Sequence, residues 1–130
     1  MLIYLDSCIV IYIVQAMEPW RSRVMAMLRD HPSVQLVISD LVRMECLVGP
    51  YKDRDIATEE AFIGYFALCQ NVPIRSSTFD LAAHIRADHG LKTPDAIHLA
   101  AAIESGCGEL WTNDDRFTRA GANIVIRQIV

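Results

Sequence analysis

No stretch of this chain is both long and apolar enough to read as a membrane helix. The longest run without a charged residue, Ala61–Ile74, has 14 residues, whereas a bilayer core of about 30 Å calls for about 20. The opening residues, Met1-Leu2-Ile3-Tyr4-Leu5-Asp6, lack a basic segment and meet an acid at once, so a secretory signal is not expected and the cytoplasm is the expected compartment. Cysteines are few and never closely paired: Cys8, Cys46, Cys69 and Cys107 stand 38, 23 and 38 residues apart. That excludes the short-spaced ligand pairs of a zinc site and predicts reduced, at least partly buried thiols. Positive charge is scarce as well. Twelve Lys and Arg against sixteen Asp and Glu leave a formal charge of −4, the wrong sign for holding nucleic acid by bulk attraction. Lysine is almost missing: only Lys52 and Lys92 occur beside ten arginines, whose planar fork suits phosphate or carboxylate. Internal repeats, low-complexity tracts and linkers are also absent.

What remains is a chain of 130 residues that is 52% hydrophobic and 22% charged. Such a length buries roughly two thirds of the surface that the unfolded chain exposes. Residues 1–130 are therefore expected to form a single domain that needs neither a disulfide nor a structural metal. A disordered chain is excluded by the same composition.

Five short apolar runs read as strands, at Leu2–Leu5, Gln35–Ile38, Asn71–Ile74, Glu109–Thr112 and Asn123–Ile126. Helical patterns fall between them, at Ser7–Ala16, Pro19–Arg29, Asp40–Val48, Ile56–Cys69, Thr78–His89 and Pro94–Glu104. Pro19, Pro50, Pro94, Gly90, Gly106 and Gly121 punctuate the series. Strands without polar alternation, separated by helices, predict a mostly parallel sheet covered on both faces, a three-layer α/β/α sandwich. In such sheets the working residues gather beyond the carboxyl ends of the strands.

Four acids draw attention at that edge. Asp6 follows the first strand directly and Asp114 follows the fourth, although either is equally a helix N-cap. Glu45 lies four residues after Leu41 and three before Val48, on their apolar stripe, and an acid buried there costs several kcal/mol unless it is neutralised; a helix turned so that Glu45 faces water is the plain alternative. Asp95 stands in the first turn of a helix whose expected N-cap is Thr93, where an acid also favours the helix dipole. The rest of that helix, Ala96 to Ile103, is apolar almost all round, which carries Asp95 inward. If all four converge at about 5 Å, their six pairs repel by on the order of 20 kcal/mol at an effective dielectric of about 20. Such a cluster persists only if it protonates, hydrates or binds cations, and an all-oxygen set selects hard divalent ions such as Mg²⁺ or Mn²⁺. Two such ions would offset the chain's charge where a phosphate could bridge them.

Taken in order, Asp6-Ser7-Cys8, Glu45 within Ser39-Asp40-Leu41-Val42-Arg43-Met44-Glu45, Thr93-Pro94-Asp95-Ala96-Ile97-His98-Leu99-Ala100-Ala101-Ala102, and Thr112-Asn113-Asp114 resemble the four acidic motifs of the PIN domain family. Size and motif order resemble its VapC toxins, of type II toxin–antitoxin pairs, and the resemblance spans essentially the whole chain. It implies a Mg²⁺-dependent endoribonuclease, with Mn²⁺ as substitute, in which Asp6, Glu45, Asp95 and Asp114 bind one or two ions. It also implies an RNA substrate, a protein antitoxin and a homodimer. Ser7 and Thr112 match positions where the family often has a hydroxyl supporting the acids. Cys8 departs from the Asn or Ser of many relatives, so a weaker hydrogen bond near the metals is expected. Asp115 competes with Asp114 for the fourth role, and the family's spacing after Thr112-Asn113 favours Asp114.

Arg43, Lys92 and Arg116 lie within three residues of Glu45, Asp95 and Asp114 and are candidates to meet RNA phosphates, or else solvated charges paired with nearby acids. His98, on the face of Asp95, reads as a hydrogen-bonded core histidine, since an oxygen-rich site needs no imidazole. His84 and His89 are five apart, a poor spacing for a shared ion. Met17, Trp20, Met25 and Met27 read as core, with a groove for a partner peptide as the alternative. Other functions remain open: a PIN-like module that binds RNA or protein after losing catalysis, or a solitary RNA-processing nuclease. A phosphatase would want a second Asp at Cys8, and a receiver domain would want further acids by the first strand and a late lysine.

Overall fold

The computed structural model describes residues 1–120 and 124–130. Strand β1 (Leu2–Leu5) is the centre of a five-stranded sheet, with β2 (Gln35–Ser39), β3 (Gln70–Val72), β4 (Glu109–Thr112) and β5 (Val125–Gln128) in the order β3-β2-β1-β4-β5. All four pairings are parallel. Ile3, Tyr4 and Leu5 are all fully buried, as a strand covered on both faces requires. Helices α1 (Ser7–Val14), α2 (Trp20–Arg29), α3 (Asp40–Asp53) and α4 (Ile56–Phe66) carry the chain outward from β1 through β2 to β3. Helices α5 (Ser76–His89) and α6 (Thr93–Glu104) carry it back across to β4 on the other side of β1. Right-handed crossovers put the two groups on opposite faces: α1 packs on α2 and α3, and α3 on α4, whereas α5 packs on α6 and on a 3₁₀ helix, Asp115–Ala120. The three-layer α/β/α sandwich is the expected one.

Several boundaries differ from the sequence expectation, each for a local reason. Helix α3 runs past Val48 to Asp53 with Pro50 inside it. Gly49, lacking a Cβ, relieves part of the clash that normally bars α geometry before proline, and the turn closes on Arg54 in the left-handed region. Helix α4 stops at Phe66 instead of Cys69, which frees Gln70 to start β3, and Pro73 ends that strand before Ile74. Helix α1 ends at Val14, α2 begins after Pro19, and α5 begins two residues early, at Ser76. The cap of α6 is Lys92, without a side-chain hydrogen bond, and Thr93 is its first helical residue. Strand β5 extends to Gln128 because Arg127 and Gln128 pair with Trp111 and Thr112; Asn123, expected to begin it, lies outside the described residues. Gly90, at φ 70°, ends α5 in a conformation that other residues adopt only with strain.

The core spreads over both faces of β1 and β4. Ala96, Leu99, Ala100, Ala101 and Ala102 are fully buried, so α6 lies close against its neighbours through small side chains. Met25, Met27 and Trp20 pack half-buried on the core, Trp20 stacking on Tyr12 at 5.2 Å, while Met17 is exposed. Cys46 and Cys107 are buried and Cys8 and Cys69 half-buried, all as free thiols. No described helix is long and apolar enough to cross a membrane.

At the amino end of β4, Glu109 is 3% exposed and accepts a hydrogen bond from Arg127 Nε through Oε1. Its other oxygen has no hydrogen-bond partner among the described residues, the half-buried His31 Nε2 standing 3.9 Å away. Arg127→Met should therefore strand a buried carboxylate and lower unfolding free energy by about 2–4 kcal/mol in urea titrations; parent-like stability would refute this reading of the pair.

Candidate metal centre

In an open parallel sheet a crevice forms where the strand order reverses direction. Here that point lies between β1 and β4, and the acidic motifs converge around it. Asp6 leaves β1 directly, its backbone N–H donating to Trp111 O at 3.0 Å. Its Oδ1 accepts the Ser7 backbone N–H at 2.8 Å, so Asp6 caps α1 as well as facing the crevice. Its Oδ2 accepts the Thr112 hydroxyl at 2.7 Å, and Thr112 Oγ1 accepts the Asp114 backbone N–H at 3.1 Å. The Ser7 hydroxyl is a distant 3.5 Å from Oδ1. Cys8 Sγ approaches Oδ2 at 3.8 Å; burial first, and the charge of Asp6 second, push that thiol up to about 12, so it stays a protonated, weak donor.

Glu45 arrives on the second turn of α3, which starts where β2 ends. The stripe expected to bury it is not the buried one: Val48 is 55% exposed, and Val42, Cys46, Leu47 and Pro50 face the core instead. Glu45 sits at the border of that face, half-buried. Its partner is a residue read from the sequence only as a core histidine. His98 is 1% exposed and lies with Nε2 2.5 Å from Glu45 Oε1 and 3.6 Å from Asp6 Oδ1. Its Nδ1 is 2.7 Å from the Tyr4 hydroxyl, which is itself 2.7 Å from Ser39 Oγ. Asp6, Glu45 and His98 each offer one ligand atom, all within 4.8 Å of one another. Sequence reasoning missed Tyr4 and Ser39; the signal available was a tyrosine near the carboxyl end of the first apolar run and a serine directly after the second.

Asp95 and Asp114 form a second pair around Arg116. The guanidinium donates from Nε to both Asp114 oxygens at 3.0 Å and from Nη2 to Oδ2 at 2.5 Å. The same Nη2 lies 3.6 Å from Asp95 Oδ2, a buried atom with no hydrogen-bond partner among the described residues. Arg116 holds Asp114 below the usual carboxylate range. Burial pushes Asp95 up against the opposing pull of Arg116, with Asp114 and Asp6 adding repulsion. The repulsion expected among four bare acids is thus divided by internal donors, His98 between one pair and Arg116 between the other. Asp115 is exposed and opens the 3₁₀ helix, while Asp114 is the half-buried member facing Asp95's partner. Of the rim cations, Lys92 is exposed and close enough to lower Asp114, and Arg43 lies over the Phe66 ring at 4.9 Å.

This donor set is dominated by carboxylate oxygens, which suits a hard divalent ion, and the unpartnered Asp95 oxygen is a lone pair buried without use. The residues present fit such an ion. The family model for the PIN domain matches residues 3–123, and the chain belongs to that family. Its fold is similar to VapBC2 from Rickettsia felis, solved bound to a promoter DNA fragment, with a TM-score of 0.77 at 16% identity over 98% of each chain. It is similar also to a toxin–antitoxin complex from Klebsiella pneumoniae, with a TM-score of 0.75 at 23% identity over 98% of this chain and 97% of that one. VapC20 of Mycobacterium tuberculosis, a sarcin–ricin loop cleaving toxin, gives 0.71 at 16% identity, covering 92% and 95%. A comparison with curated protein sequences finds no significant match.

The Arg116 contacts carry a pH consequence. Asp114, depressed by Arg116, contributes stability above the ordinary carboxylate pKa and loses it as pH falls through its lowered value. Asp95, raised, opposes folding when ionised, and that penalty fades as pH falls. Arg116→Ala should raise both carboxyls, measured by carboxyl-carbon NMR titration of metal-free protein; an unmoved Asp114 would refute the pairing.

Proposed function

We propose that this protein is a metal-dependent endoribonuclease and the toxin member of a toxin–antitoxin pair. The observation that supports the reading is the cluster of Asp6, Glu45 and His98 at the reversal point of the sheet, with ligand atoms within 4.8 Å of one another and Asp114 tied to Asp6 through one threonine. Asp6, Glu45, Asp95 and Asp114 would hold one or two Mg²⁺ ions, or Mn²⁺. A bound divalent ion supplies activation of a water and stabilisation of charge on the scissile phosphate and leaving oxygen.

The chain's own residues prepare the site. Ser7 N–H and the Thr112 hydroxyl fix the two oxygens of Asp6 in place, and Thr112 also holds the turn that presents Asp114. Arg116 offsets the charge of Asp95 and Asp114, and its side chain, 39% exposed, also reaches solvent where a phosphate would approach. Lys92 adds charge to the same rim, whereas Arg43 lies over the Phe66 ring and makes no ion pair with the four acids among the described residues. Kinship in fold with toxin–antitoxin complexes supports a protein antitoxin, and likeness to a toxin that cleaves the sarcin–ricin loop supports an RNA substrate. A homodimer in the cytoplasm completes the proposal.

Asp95→Asn keeps volume while removing charge and one ligand, so it should abolish Mg²⁺- or Mn²⁺-dependent cleavage of a panel of structured RNAs and leave the circular dichroism spectrum unchanged. Parent-like cleavage would overturn the assignment. For the parent, a divalent ion at ten times its Kd should add about 1.4 kcal/mol, or about 5 °C in melting temperature for a domain of this size. A saturable shift without cleavage of any RNA would favour the module that has lost catalysis. Growth arrest on expression, relieved by a co-purifying product of an adjacent gene, would separate the toxin from a solitary processing nuclease.

A further inference from the structure

Among the described residues, Glu45 is the one acid of the four that reaches the site on a long side chain without a backbone cap or an arginine to hold it. A glutamate free to rotate loses up to about 2 kcal/mol of side-chain entropy when fixed, so a contact that fixes it beforehand makes ion binding tighter. We infer that Tyr4 and His98 are a positioning pair for Glu45, and that their role depends on a hydrogen-bond donor at His98 Nε2. The inference rests on Glu45 being an ion ligand, as proposed above.

The hydrogen bonds define the direction of the chain. With Nε2 at 2.5 Å from Glu45 Oε1, a proton must lie between the two atoms, because a ring lone pair facing an ionised oxygen at that distance is repulsive. With the ring in the tautomer that carries its proton on Nε2, the Nδ1 lone pair faces the Tyr4 hydroxyl at 2.7 Å and can accept from it, and the tyrosine oxygen can in turn accept from the Ser39 hydroxyl, also at 2.7 Å. Burial keeps the Tyr4 proton in place. In that tautomer Ser39, Tyr4 and His98 line up as successive donors ending on Glu45, and they come from β2, β1 and α6, three elements packed in the core. Among the described residues only Oε1 of Glu45 is engaged, leaving Oε2 for an ion. His98 also stands three residues after Asp95 on α6, so the helix that carries one acid orients another.

Two amide substitutions separate positioning from packing. A glutamine amide places its nitrogen near where Nε2 lies, whereas an asparagine amide reaches only as far as Nδ1. In Mn²⁺ titrations read by melting temperature, His98→Gln should bind within about threefold of the parent, and His98→Asn should bind about tenfold or more weakly, the scale for losing a residue that orients a ligand. If the two variants give the same midpoint, or if asparagine binds better, the positioning role is refuted and His98 serves only to fill space. Should both variants misfold, Tyr4→Phe keeps the ring and removes the donor to Nδ1; it should weaken Mn²⁺ binding by about threefold or more, and a parent-like midpoint would refute the pair. A parent that gives no saturable Mn²⁺ response overturns the ion-binding reading itself and takes this inference with it, an outcome distinct from any difference between variants.

Discussion

A single hydroxyl, that of Thr112, sets the geometry on which the site depends. It is fully buried at the end of β4, donates to Asp6 across the β1–β4 crevice, and accepts the backbone N–H of Asp114. Buried polar groups must be matched, and here the matching is done by two of the motif acids. The spacing of Thr112-Asn113-Asp114 is therefore a structural necessity: moving the threonine by one residue would turn its side chain to the other face of the sheet. Glu45 and Asp114 are placed relative to Asp6 by segments that begin at strand ends, and Asp95 by α6, which follows α5.

Around that anchor the chain solves its own electrostatic problem. Four carboxylates near one another cannot be left to repel in a poorly solvated crevice, and the solution is to interleave donors. His98 sits between Asp6 and Glu45, and Arg116 between Asp114 and Asp95. The two donors differ in kind. His98 is sealed in the core and cannot leave without disturbing β1, whereas Arg116 is a partly exposed side chain on a short 3₁₀ helix. One half of the site is thereby rigid and the other adjustable.

The strands, the layer arrangement and the carboxyl edge of the sheet as the place to look for the site were legible in the sequence, because apolar runs and their spacing follow directly from burial on two faces. Thr112 could be nominated only by resemblance, since a buried hydroxyl has no periodic signature. Glu45 was found on the wrong stripe: the pattern Leu41, Glu45, Val48 is as regular as the one that faces the core, and periodicity alone does not tell which stripe meets the neighbouring helix. Helix α3 overran its expected end because glycine before Pro50 softens a signal usually taken as a stop. Tyr4 and His98 illustrate the general obstacle. Each looks like core, and is core; that they are joined depends on β1 and α6 being neighbours, a fact of topology 94 residues apart in the chain.

That topology also orders events in time. β1 is made before either of its neighbours, yet it acquires the second only when β4 exists, and the Thr112–Asp6 bond spans 106 residues. Contacts of such separation form late, after the entropy of closing a long loop has been overcome. A chain emerging from the ribosome can pair β1 with β2 and shape α3 well before residue 112 leaves the exit tunnel. The acids of the earlier motifs would then be present but unassembled, so the crevice comes into being only once Thr112 and Asp114 have been made. Burying the first motif against one of the last makes the site a check on the completeness of the chain through Asp114.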